Sequence, residues 1–227
     1  KHELGYNLNK IGNVYYYKGN YEQALDYYTR SLEILEELSD NSGMGASLIS
    51  IGNIYFFRGD YERALGYYTR SFEIRKELID KSGMGASLNN IGLIYANKGD
   101  LDKALESYTS SLKIREELGD KSGIGASLNN IGNVYSNKGN YEKALDYYTR
   151  SLKIDEELGN KRELGIIFNN IGLVYTHKGD YNQALNFCVH SFEICEEIGN
   201  KYGAVNSLNS VGIIHFNKGE YDKGIDY

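Results

Sequence analysis

Asparagine recurs in this chain at a fixed spacing. The string Asn89-Asn90-Ile91-Gly92 returns at 129–132 and again at 169–172. A carboxamide carries N–H donors and an acceptor oxygen on one short stem. A row of carboxamides can therefore hydrogen-bond an extended backbone without reading its side chains. Each such bond contributes only about 0.5–1.5 kcal/mol net. Several in register, helped by aromatic anchors, reach micromolar affinity, about −8 kcal/mol. The plainer reading is that asparagine is simply tolerated on a polar surface.

Other residue types with chemical potential are sparse. Histidine occurs at 2, 177, 190 and 215, and none forms an HExxH or similar ligand pair. His215 stands where other repeats carry tyrosine, which reads as a buried or edge side chain. Cys188 likewise takes a tyrosine position and reads as core. Cys195 follows seven residues later, too weak a pairing with His190 for a metal site. Arg58-Gly59-Asp60 spells an adhesion tripeptide but falls in a turn where other repeats read KGD or KGN. No phosphate loop, nucleophile elbow or catalytic carboxylate pair is present. The expectation is no enzyme, no metal and no cofactor.

The asparagines must be positioned by something regular, and the chain is regular throughout. Gly12, Gly52, Gly92, Gly132, Gly172 and Gly212 are 40 residues apart, as are Gly19 to Gly219 and Ala24 to Ala184. A period of this size means a solenoid or array. Each repeat reads as two helices. In the third, Leu88, Ile91, Gly92 and Tyr95 share one face by the i, i+3, i+4, i+7 rule. The segment LDKALESYTSSLKIREEL follows, with apolar Leu101, Ala104, Leu105, Tyr108, Leu112 and Ile114. Between them, Gly99 suits a helix C-terminus and Asp100 an N-cap, as do Asn20, Asp60, Asn140 and Asp180 elsewhere. GDKSG at 119–123 closes the second helix, and either Asp120 or Ser122 is placed to cap the next. With 26 glycines and no proline, glycine makes the turns. Gly92 costs its helix about 1 kcal/mol relative to alanine; the expected return is close approach of two helix backbones, with Ala104 and Ser111 as matching small positions.

These residues resemble the tetratricopeptide repeat: Leu88, Ile91, Gly92 and Tyr95, then Gly99, Ala104, Tyr108 and the small Ser111, in every repeat. The first large position is leucine rather than tryptophan, the terminal proline is absent, and the period is 40 rather than 34. In this the chain is similar to the long repeats of kinesin light chain, the LGN/Pins proteins and bacterial and archaeal regulatory proteins. The resemblance implies an all-α fold, a right-handed α-solenoid of antiparallel helical hairpins. One array over 1–227 is expected, with units of about 1–40, 41–80, 81–120, 121–160, 161–200 and 201–227. Tyr227 aligns with Tyr27, midway through a second helix, so the last unit reads as unfinished and the chain as part of a longer protein.

In arrays of this family the face holding residues 86, 89, 90, 93, 96 and 97 lines a concave groove. By that resemblance the groove residues here are Asn9, Asn13, Tyr16 and Tyr17 in the first unit and Asn53, Phe56 and Phe57 in the second. The third supplies Asn89, Asn90 and Asn97, and the fourth Asn129, Asn130, Asn133 and Asn137. Asn169, Asn170 and His177 follow, then Asn209, Phe216 and Asn217. The face is amide-lined in its middle and aromatic toward both ends, and Lys10 is its one charged residue. Family members that hold chaperone C-termini use a lysine and arginine clamp; here those positions are asparagine or apolar, so weak or no binding to acidic tails is expected.

Bulk composition narrows the partner. Net charge is −6, against the basic stripe that nucleic acid requires. No apolar run approaches a membrane span, and no signal-peptide pattern is read. Two cysteines are no disulfide framework, so a cytoplasmic setting is expected. Glutamate pairs at 36–37, 116–117, 156–157 and 196–197 read as a solvated face. The leading expectation is a non-catalytic scaffold that binds a peptide or partner segment. The alternatives are a sensory or regulatory region of a larger signalling protein, or a structural solenoid that self-associates through uncapped ends.

Overall fold

The computed structural model describes residues 1–225, and among these every regular element is a helix. The helices are α1 (His2–Tyr17), α2 (Tyr21–Glu37), α3 (Asn41–Phe57), α4 (Tyr61–Glu77), α5 (Lys81–Asn97) and α6 (Leu101–Leu118). There follow α7 (Lys121–Asn137), α8 (Tyr141–Leu158), α9 (Lys161–Lys178), α10 (Tyr181–Glu197), α11 (Lys201–Asn217) and α12 (Tyr221–Ile225). Tyr227 lies outside the described residues. The helices group into two compact units, Lys1–Gly119 and Asp120–Tyr227. Inside each unit, odd helices pair with the even helix that follows to make a hairpin, and hairpins stack through α2 on α3, α4 on α5, α8 on α9 and α10 on α11.

The turns follow from the expected chemistry. Asn20, Asp60, Asp100, Asn140 and Asp180 each accept the backbone N–H three residues on, capping the even helices. At the start of α7 the cap is Asp120, which accepts from Gly123, and not Ser122. Gly99 and its counterparts take left-handed φ values, +80° at Gly99, a conformation that glycine enters without a Cβ clash. At the far end of the hairpins Gly119, Gly159 and Gly199 do the same, but Ser39 (φ 52°) and Ile79 (φ 56°) are forced into that region without being glycine.

Gly92 and its counterparts work differently from the expectation of helix backbones closing on each other. In four hairpins the space is taken by a tyrosine ring of the even helix. A Cβ on Gly52 would lie 2.5 Å from the Tyr68 ring, and one on Gly132 would lie 2.6 Å from Tyr148. Tyr28, Tyr68, Tyr108 and Tyr148 are all buried. Burial pushes the Tyr28 hydroxyl up to about 12 and raises the other three further in the same direction. The fifth hairpin fits the original expectation: Cys188 replaces the ring, and a Cβ on Gly172 would meet the Ala184 carbonyl at 3.2 Å. There burial pushes the Cys188 thiol up to about 12.

The small position expected at Ser111 recurs through the repeats and also makes a hydrogen bond that the sequence reading did not anticipate. Ser31, Ser71, Ser111, Ser151 and Ser191 are buried. Each donates its hydroxyl to the carbonyl of Gly5, Gly45, Gly85, Gly125 or Gly165 in the paired odd helix, at 2.6–2.9 Å. Buried hydroxyls need such partners. The signal was present as a further glycine series with the same 40-residue spacing.

Candidate functional site

The odd helices of successive hairpins also touch one another: α1 with α3, α3 with α5, α7 with α9 and α9 with α11. Their shared faces carry the asparagine and aromatic positions, so each unit presents one such face.

In unit 1, Asn9 is half-buried and donates from Nδ2 to Ser47 Oγ of α3, 3.1 Å. Asn13 and Asn53 accept the hydroxyl of Tyr28 and Tyr68 respectively, each at 2.7 Å. In unit 2 Asn133 accepts from Tyr148 at the same distance. These three carboxamides are thus half committed to the core: the oxygen satisfies a buried phenol, leaving the amide N–H groups for anything outside. The third hairpin carries Leu93 at this position.

Asn89, Asn90, Asn129, Asn130, Asn169 and Asn170 are half-buried. Asn170 Nδ2 donates to Asn129 Oδ1 at 3.0 Å, joining α9 to α7 through the amide row. Asn169 Oδ1 is buried and has no hydrogen-bond partner. Asn97, Asn137, Asn209 and Asn217 are exposed, and Asn97 folds its Nδ2 onto the Leu93 carbonyl, 2.8 Å.

The aromatic residues of unit 1 form one cluster. Phe57 stacks on Tyr21 at 5.9 Å with an interplanar angle of 4°, and Tyr16 contacts Tyr17, Tyr21 and Phe57 at 5.6–5.9 Å. Phe56 meets Phe57 and Tyr61. Tyr17 is 86% exposed and Phe57 56%, more apolar ring surface than a helix end gains by leaving in water. In unit 2, His177 stacks on Tyr141 at 5.7 Å, and Phe216 makes an edge contact with Tyr221 at 5.0 Å.

The acidic ends of the even helices are exposed, as expected, but they are not free. Lys1 pairs with Glu37, Lys81 with Glu117, Lys121 with Glu157 and Lys161 with Glu197, each within one hairpin. Between hairpins, Glu22 pairs with Arg58, Glu62 with Lys98 and Glu142 with Lys178. Arg58 and Asp60 of the adhesion-like tripeptide are both occupied, Asp60 by the Arg63 N–H at the α4 cap.

His215 sits beside Glu220, 2.8 Å. Among the described residues, no group of three or more His, Cys, Asp or Glu is arranged to hold a metal. No described helix is long and apolar enough to cross a membrane.

A chain of helical hairpins repeating every 40 residues, with glycine turns and an amide-lined face on the odd helices, is of the α-solenoid class. The tetratricopeptide repeat profile matches residues 4–77, 83–157 and 163–227, and the chain belongs to that family. No curated protein sequence matches it. Among solved structures, BtubC (BKLC) from P. vanneervenii is 19% identical, with a TM-score of 0.77 over 91% of this chain and 87% of that one. A Rap protein complexed with Competence and Sporulation Factor is 16% identical, TM-score 0.77, covering 97% of this chain and 72% of that one. A STAND protein with a tetratricopeptide repeat sensor from Pyrococcus horikoshii is 20% identical, TM-score 0.76, covering 96% of this chain and 34% of that one. At these identities the likeness is one of fold.

Proposed function

We propose that the chain is a non-catalytic protein-interaction module whose odd-helix faces hold an extended peptide or partner segment. The observation that carries this reading is the amide row itself. Polar side chains link neighbouring odd helices (Asn170 to Asn129, Asn9 to Ser47) on a face where every hairpin but the second has asparagine at the position of Asn89. Linked carboxamides are already held in position, which lowers the entropy lost when a partner binds. Asn13, Asn53 and Asn133 act as donors, since their oxygens serve the buried tyrosines. Tyr16, Tyr17, Phe56 and Phe57 anchor apolar side chains of the bound segment. The Rap protein of similar fold, complexed with Competence and Sporulation Factor, fits this reading. Both cysteines are free and buried, which suits a reducing compartment such as the cytoplasm.

Replacing Asn90, Asn130 and Asn170 together by alanine is expected to release the partner that the wild-type chain retains in an affinity pull-down read by mass spectrometry, with helicity unchanged by circular dichroism. Equal recovery on both chains overturns the amide-row reading. An acidic C-terminal peptide should bind weakly or not at all, because no cationic clamp is present; low-micromolar, salt-sensitive binding would contradict that.

A sensory region within a signalling protein is the second reading. It is favoured by the likeness to the STAND protein, of which a chain of this size covers about a third.

A further inference from the structure

Within each unit an even helix stacks on the next odd helix, and the apolar side of that joint is the same each time. α2 covers α3 by packing Ala24, Tyr28, Leu32 and Leu35 against Met44, Leu48, Ile51 and Ile54. Met44, Ile51 and Ile54 are left 8%, 1% and 0% exposed. Their counterparts Ile91 and Ile94 of α5, and Ile171 and Val174 of α9, are buried in the same way.

α1 carries the same stripe, with no even helix stacked on it among the described residues. Leu4, Ile11 and Val14 stand at the positions of Met44, Ile51 and Ile54. They are 52%, 39% and 53% exposed. A contiguous apolar stripe marks an interaction surface, where single exposed apolar residues do not.

Both ends of the stripe are charged, and the joints show what each charge meets. Lys18 stands where Arg58, Lys98 and Lys178 pair with Glu22, Glu62 and Glu142, in each case the second residue of the preceding even helix. At the other end, Glu3 takes the place of Gly43 and Gly83, which face Leu35 and Arg75, the fifteenth residues of α2 and α4. Neither Glu3 nor Lys18 has an ion-pair or side-chain hydrogen-bond partner among the described residues. In α9 the site of Glu3 is held by Glu163, and the fifteenth residue of α8 is Asp155. There burial and then the Asp155 charge push the Glu163 carboxyl up. An acid at the fifteenth position is therefore the wrong match for Glu3, and a base is the right one. The joints set the start of the even helix beside the end of the odd one, so the two charges also fix the direction of an incoming helix.

We infer that the exposed stripe of α1 docks a partner's amphipathic helix of the even-helix type, running antiparallel to α1. Its second residue is an acid, its middle is apolar and its fifteenth residue is a base. The stripe shares no residue with the amide row, so the two readings stand or fall separately.

A peptide with the sequence of residues 60–78 is the probe, because it carries Glu62 and Arg75 at those two positions. Free in water a helix of this length is marginal, and docking should make it helical. Titrated into the full chain with ¹³C-labelled Ile, Leu and Val methyl groups, it should shift Leu4, Ile11 and Val14. Lys18→Glu in the chain should weaken binding about two- to fivefold, the worth of a partly exposed ion pair, and Glu62→Lys in the peptide should restore it. Arg75→Asp in the peptide should weaken binding by a similar factor, and Glu3→Arg in the chain should recover that loss. Val14→Asp should abolish the shifts while leaving the circular dichroism of the chain unchanged, since Val14 is half exposed. No shift at these three methyl positions, shifts only elsewhere in the chain, or equal affinity across the charge exchanges would each overturn the proposal. So would a dimer of the chain alone in sedimentation equilibrium that Val14→Asp dissociates, because the occupant would then be a second copy.

Discussion

Unit 1 and unit 2 solve the same joint with different chemistry. In unit 1 the side chains wedged between hairpins are long, Leu35 and Arg75, and each faces a glycine on the next odd helix, Gly43 or Gly83. In unit 2 they are short, Asp155 and Cys195. Asp155 is 2% exposed, and the next helix presents Glu163 where the other joints have glycine. The charged joints also respond oppositely to protons. Burial pushes the Asp80 carboxyl up, but the Gly83 N–H and the Arg75 guanidinium more than offset it and hold it below its usual value. Burial pushes Asp155 up, opposed only in part by Asn160 and Ser151. Glu163 is raised by burial and then by the Asp155 charge. One repeat template can thus carry an apolar wedge, an ion pair, a crowded acid pair or a buried thiol, because the backbone hydrogen bonds of the hairpins do not depend on what fills the joint.

The largest test of the comparison is in the packing that the units share. Gly52→Ala in unit 1 drives a methyl into the Tyr68 ring, which its bond to Asn53 holds in place. Overpacking of this kind costs about 1–3 kcal/mol, read as a lowered midpoint in urea denaturation. Gly172→Ala in unit 2 should lose at least as much, because the Ala184 carbonyl beside it is backbone and cannot turn away. A milder effect at Gly172 than at Gly52 would show that Cys188 yields where tyrosine does not.

Next in size is the response to pH. Asp155 and Glu163 have folded-state values above their unfolded ones, so their contribution is full below the unfolded value and is lost as pH rises through the folded one. Acidification from neutral pH toward the unfolded carboxylate values of about 4 should therefore raise hydrogen-exchange protection across α8 and α9. Asp80 has the opposite sign: its contribution is present above its unfolded value of about 4 and is lost as pH falls through its folded value, so protection across α4 and α5 should decline only there. Asp155→Asn should raise the neutral-pH stability of unit 2 and flatten its profile. An unchanged profile would separate the acid pair from the stability of that joint.

A smaller effect comes from the turns. Left-handed backbone costs a residue with a Cβ about 1–2 kcal/mol, more for a β-branched one. Glycine returns part of this through its freer unfolded chain. Ile79→Gly should stabilise unit 1 by about 1 kcal/mol, and Gly159→Ala should destabilise unit 2 by a similar amount, both read as shifts in melting temperature. The smallest effect is expected from the exposed charge pairs. Lys121→Gln or Lys161→Gln should move stability slightly at low salt and not at all at high salt, since such pairs are solvated and screened.

Much of this was legible in the sequence. The hairpins, the caps at Asp60 and Asp100, the glycine turns and the tyrosine-to-cysteine exchange at 188 all follow from local rules that act over three or four residues. The amide row was legible as a spacing, but its internal division was not. That Asn13, Asn53 and Asn133 give their oxygens to Tyr28, Tyr68 and Tyr148 depends on a partner 15 residues away on another helix. The glutamate pairs looked merely solvated because their lysines lie 36 residues distant. Gly92 looked like a helix-to-helix contact, and the ring that fills the space comes from a neighbour whose direction no periodicity reveals.

By itself, the 40-residue sequence period determined the helical hairpins, their turns and the family, because caps, turns and amphipathic faces are local and repeat with the residues that make them. Tertiary packing alone decided what each repeat does with its differences: which asparagines serve the core, which carboxylates are crowded together, and which side chain fills the space between the glycines of each joint. Those outcomes depend on volume and hydrogen-bond balance between helices, and a side chain's neighbours across a joint are set by the stacking of hairpins and not by its place in the repeat.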